Sequence, residues 1–142
     1  MLQRWHFLLR TPLSSSEKEE WKQRLFHQLA GWHTHGRPIE WTMEFLWNQI
    51  IQITARSPIS GCAIDTLFRA VRAVAGPALL GTEWVPILLE GKVITKKFYE
   101  IIEMYQSGAW VPTWRIIQMD EEGIQILPLD ESALAIHLRR CE

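Results

Sequence analysis

The sequence predicts an α+β fold: one domain over residues 1–142, with an antiparallel sheet and helices packed mainly on one face. Three observations carry this. Two windows, 15–34 and 61–75, repeat apolar residues every three or four positions, the period of a helix with one buried stripe. Other windows, from Ile39 to Thr54 and in four later segments, run with period two or as short β-branched runs, the mark of strands. Glycine and proline punctuate the junctions, as in Thr11-Pro12 and Gly76-Pro77. The order is β-α-β-β-α-β, which matches the ferredoxin-like split β-α-β arrangement, followed by further strands and a last helix.

Residues 5–10 (Trp-His-Phe-Leu-Leu-Arg) read as the first strand, stopped by Thr11-Pro12. Ser14 with Glu17, or Ser16 with Glu19, fits a capping box that opens the first helix. Its buried stripe is Trp21, Leu25, Leu29 and Trp32, with Glu20 and Arg24 able to pair across one turn. Gly36 and Pro38 are expected to end it. Trp41, Met43, Phe45 and Trp47 then alternate with Thr42, Glu44 and Leu46. Asn48 permits a tight turn into a second arm at Ile50–Thr54, although without a following glycine one long bent strand fits as well.

The second helix holds Ile64, Leu67, Phe68, Val71, Val74 and Ala75 in unbroken helical spacing up to Gly76-Pro77. Strands are expected at 84–89 and 92–95, where Pro86 suits an edge or a bulge. Phe98, Ile101, Ile102 and Tyr105 restore the helical period, with Gly108 placed to stop it. Residues 114–119 and 124–127 read as a hairpin about Asp120-Glu121-Glu122-Gly123, and a short helix from Asp130 runs through Leu134 and Leu138.

Composition bounds the function. A net charge of -1 gives no electrostatic footprint for nucleic acid or an anionic membrane surface, so neither is an expected partner. The apolar run Trp5–Leu9 is short and flanked by Arg4 and Arg10, so it does not read as a signal peptide, and no stretch is long enough to span a bilayer. The two cysteines, Cys62 and Cys141, form no Cys-x-x-Cys pair, which reads as reduced thiols in a cytoplasmic protein. Eight tryptophans suit a core built with large rings, a few of them exposed, and self-association as a homodimer through aromatic surface is expected.

Chemistry concentrates in Ser57–Asp65, at the junction of a strand and the second helix. Two phasings fit. Ser60 as N-cap puts Cys62 in the first turn, where unpaired N–H groups favour a thiolate. Cys62 as cap instead sets the Asp65 carboxylate three residues on, which disfavours ionisation. Against both stands packing of Cys62 as a small hydrophobe between strand and helix. A second cluster is Gly31-Trp32-His33-Thr34-His35-Gly36, whose two histidines share a face only on a strand. No metal is expected there, because zinc requires more ligands than the cluster supplies. A Cys62–His35 pair, in which the imidazole activates the thiol, is the candidate catalytic arrangement, with Asp65 beside it. Trp32, Ser60, Gly61 and Ile64 are candidate binding residues. Gly76 and Gly81 have P-loop spacing, but Thr82-Glu83 follow them, and Val93 follows Gly91-Lys92, so no phosphate-cradling loop and no cofactor are expected.

Trp32-x-x-His35-Gly36, then Asn48 before an isoleucine-rich run, then Ser60-Gly61-Cys62-Ala63-Ile64-Asp65 resemble an uncharacterised family of small Bacteroidetes proteins. These carry a W-x-x-H-G, an N-R-F-I-type strand and an S-G-C-S-I-D segment. Arg10, Leu13, Gly108 and Thr113 fit the same pattern. The resemblance implies no known activity; the ABC-transporter ATPase label given to some members conflicts with the missing Walker motif. Ala63 stands where the family has serine. The expected function is a binding or interaction module with an aromatic-rich surface. The alternative is a thiol-dependent enzyme or redox-responsive protein using Cys62 with His35.

Overall fold

The structure, a computed structural model, describes residues 1–56 and 58–139. Ser57 and Cys141 lie outside them. The α+β class is as expected, with antiparallel strands throughout. The chain forms two compact units, Met1–Leu79 and Leu80 onward, each with its own apolar core.

The first unit contains β1 (Leu2–Leu8), α1 (Ser15–Gln28), β2 (His33–Thr34), β3 (Arg37–Pro38), β4 (Trp41–Leu46), β5 (Ile50–Arg56) and α2 (Gly61–Ala75). Its main sheet has the order β1-β5-β4, with β5 antiparallel to both neighbours. β1 and β4, joined through α1, therefore run parallel with β5 inserted between them, which is the split β-α-β arrangement. A fourth strand would lie beside β1 in the ferredoxin-like order. Here, among the described residues, the chain after α2 makes one isolated bridge, Leu79 to Leu9, and the next strand joins a different sheet.

Register places Trp5, Ile53 and Met43 in one row and Phe7, Ile51 and Phe45 in the next. This face meets Leu25 and Leu29 from α1 and its end and Ala63, Leu67, Val71 and Val74 of α2 in one core. The opposite face is largely polar, with His6 Nε2 2.8 Å from Gln52 Oε1. Of the eight tryptophans none is exposed: Trp32 is buried and the other seven are half-buried. The expectation of exposed tryptophans is thus overturned: Trp32 belongs to the first core, and Trp5, Trp21, Trp41, Trp110 and Trp114 flank one of the two cores. The exposed rings are Phe26, Phe68, Phe98, Tyr99 and Tyr105.

The Trp47-Asn48 turn joins β4 and β5 as a hairpin, with both residues at positive φ (49° and 58°). That is the primed turn geometry, reached here without glycine. Surrounding contacts hold it: Lys18 Nζ donates to Asn48 Oδ1, Leu13 N–H to Asn48 O, and buried Gln49 to Leu9 O through Nε2.

Ser14 and Glu17 are the capping box actually used. The Glu17 N–H donates to Ser14 Oγ (3.2 Å) and the Ser14 N–H to Glu17 Oε1 (3.0 Å). The Ser14 backbone bond, then its hydroxyl, hold the Glu17 carboxyl below its ordinary value of 4.5. A depressed carboxyl favours the folded state above its unfolded value, and that gain is lost as pH falls through the folded one. Glu17→Gln should therefore lower the melting temperature near neutrality, and the difference from the parent protein should vanish in melts run progressively below pH 4.5. A difference that is constant with pH would refute the assignment. Arg24, expected to pair with Glu20, instead donates from Nη2 to Ala73 O on α2.

The second unit contains β6 (Trp84–Leu89), β7 (Lys92–Lys97), α3 (Phe98–Gln106), β8 (Arg115–Asp120), β9 (Gly123–Leu127) and α4 (Ala135–Arg139). Its sheet runs β7-β6-β8-β9, all antiparallel, with the Ile87–Ile116 row buried beneath Ile101, Leu129 and Leu138. Pro86, expected on an edge or at a bulge, lies in a central strand. The β6–β8 ladder begins only at Ile87, so toward β8 the proline stands beyond the last ladder pair and its missing N–H costs no rung.

Candidate functional site

The site is built where α1 stops. The spacing of Trp32 suggests a helix running to residue 34, but α1 ends at Gln28. Gly31, at φ 76°, turns the chain, and Trp32 enters the core from outside the helix. Residues 33–38 then form the β2–β3 hairpin, with its turn at His35-Gly36 (φ 49° and 76°) and Ile39 N–H closing onto Trp32 O. Gly31, a residue type that readily takes positive φ and commonly follows a helix, was the signal in the sequence against a longer one.

Trp32 ties this segment to the start of α2. Its indole N–H donates to Ala63 O at 2.8 Å, and its ring meets Trp5 and Trp41 edge-on at 6.4 and 6.2 Å. Thr34 adds a second tie, its Oγ1 accepting from the Ser60 N–H at 2.9 Å. Ser60 is the N-cap, with Oγ accepting from the Ala63 N–H at 3.2 Å. This selects the first of the two phasings: Cys62 lies in the first turn and Asp65 is not a capping partner.

The result is a cleft of about 330 Å³ lined by the end of α1, by His33 and His35, and by Ser60, Cys62, Ala63 and Thr66. His35 and Cys62, 27 positions apart, thus share one cavity with Trp32 and Ser60. Gly61, Ile64 and Asp65 are not among its lining residues. Gln28 and Thr66 line it without having been singled out from sequence; His33, one of the two histidines of the Gly31–Gly36 cluster, lines it as well, and its strand placing depended on the hairpin. Cys62 is exposed. The expected packing between strand and helix falls instead to Ala63, the next residue, since each helical step rotates the side chain by about 100°.

The chemistry available is polar. His33 Nδ1 lies 2.9 Å from Gly31 O, so Nδ1 carries the proton in that bond and Nε2 is the basic nitrogen of the neutral ring. Thr66 Oγ1 donates to Cys62 O at 3.0 Å. Among the described residues no Asp, Glu, Lys or Arg lines the cleft. Among the described residues no three His, Cys, Asp or Glu side chains come together to hold a metal ion, and no helix is long and apolar enough to cross a membrane. Comparisons with family models, curated proteins and solved structures give no match to this chain.

Proposed function

We propose that the first unit is a binding module that takes a small polar molecule in the cleft between the His33–His35 hairpin and the start of α2. The observation that carries this is the convergence of two sequence-remote segments, 31–36 and 60–66, on one cavity whose walls offer imidazole, thiol and hydroxyl groups. These are also the segments of the Bacteroidetes resemblance. Ala63 stands where that family has serine, but its side chain is buried in the core, so the polar side chains of the cleft come from residues such as His33, His35, Ser60, Cys62 and Thr66.

The test is amide chemical-shift mapping with a fragment set of carboxylates, phosphates and neutral amides. Shifts confined to the amides of residues 31–36 and 60–66 are expected. Shifts spread elsewhere, or none, would refute the reading.

The exposed thiol favours a second reading, in which Cys62 performs thiol chemistry with His35 as base. In a Cys141→Ser background, iodoacetamide labelling at pH 7 separates the two. Under the binding reading Cys62 reacts as an ordinary exposed thiol, and His35→Ala leaves the rate unchanged. Rapid labelling that His35→Ala slows severalfold would establish the thiol reading instead.

A further inference from the structure

The sheet of the second unit ends in two edges of opposite character. β7 carries Lys92, Lys96 and Lys97, the kind of charge that discourages a further strand. β9, Gly-Ile-Gln-Ile-Leu, carries no charge, and Ile126 is 45% exposed. Acidic residues stand at both of its ends: Asp120, Glu121 and Glu122 in the β8–β9 turn, and Asp130 and Glu131 just after the strand. Among the described residues no strand pairs with the outer side of either edge.

We propose that β9 receives the β7 edge of a second copy of this chain, extending the sheet head to tail. Both strands begin at a hairpin tip and run away from it. Antiparallel pairing therefore sets the start of β9 against the end of β7 in the second copy. With Ile124–Ile126 against Val93–Thr95, Glu122 falls opposite Lys97, the rest of the acidic turn lies at the Lys96–Lys97 end, and Asp130 and Glu131 lie a few residues beyond the partner of Lys92 at the other end. Symmetric pairings are disfavoured by the same charges, since like charges directly opposite destabilise a sheet. β7 against β7 opposes Lys92 to Lys96 and Lys97; β9 against β9 opposes the acidic turn to Asp130 and Glu131. The association is heterologous, so it need not close into a dimer, and it is weak, because about five residues a side fall short of a standard interface.

Sedimentation velocity on the full chain under reducing conditions tests this over a concentration series. Reversible, concentration-dependent association that weakens with added NaCl is expected. Ile126→Lys blocks β9, and Lys92→Glu with Lys96→Glu blocks β7; each should weaken self-association by about tenfold or more. Because one retains β7 and the other β9, mixing them should restore association as a one-to-one heterodimer. A monomer at every concentration, association indifferent to either variant, or failure of the mixed variants to associate would overturn the proposal.

Discussion

Replacing Trp32 by alanine is expected to cost about 3–5 kcal/mol of stability, at the upper end for single core substitutions. The ring is only 5% exposed and is flanked by Trp5 and Trp41, so its removal leaves a void bounded by two large rings that cannot collapse into it. The indole N–H to Ala63 O is also the direct tie between the 31–36 segment and α2. Trp32→Phe keeps most of the volume and loses the hydrogen bond, so about 1 kcal/mol is expected. Urea denaturation of both variants checks this. If both lose the same small amount, Trp32 is not the pin of the site. The alanine variant should also lose the fragment-induced shifts at residues 60–66 even where it remains folded, because the hairpin no longer has its anchor.

Ile53→Ala should cost about 2–5 kcal/mol, while the neighbouring Thr54→Ala should cost about 1 kcal/mol or less. Ile53 is fully buried at the centre of β5, in register with Trp5 and Met43, beneath the two helices. Thr54 points to the other face, where it pairs with Arg4 and Thr42 and is half-buried. Equal costs at the two positions would mean that the helices do not cover the face to which the register assigns them.

Both predictions rest on features that differ in how legible they are. The period-two pattern of Trp41, Met43 and Phe45 identified the helix-covered face of β4 from sequence alone. The stripe of α2 was equally clear, because Leu67, Val71 and Val74 report the same buried face at every turn. The end of α1 was misread. Trp32 continues the helical spacing of Leu25 and Leu29 and is buried like them, yet it reaches the core from beyond the helix. Burial sets the spacing; the αL turn at Gly31 sets the path. The role of Cys62 was misjudged for a related reason: whether Cys62 or Ala63 faces the core depends on a rotation that only the position of the N-cap defines.

Local chemistry written in the sequence determined the helix over 61–75 and the α+β class and narrowed each helix start to two candidate caps, Ser14 or Ser16 and Ser60 or Cys62, because each depends on residues within a turn or two of one another. Tertiary structure decided the rest. It brought His35 to the same cleft as Cys62, chose Trp32 as the tie between them, and sent the strand after α2 into a second sheet rather than to the side of β1. Those outcomes depend on which surfaces bury each other best across tens of residues. No short-range pattern encodes that choice.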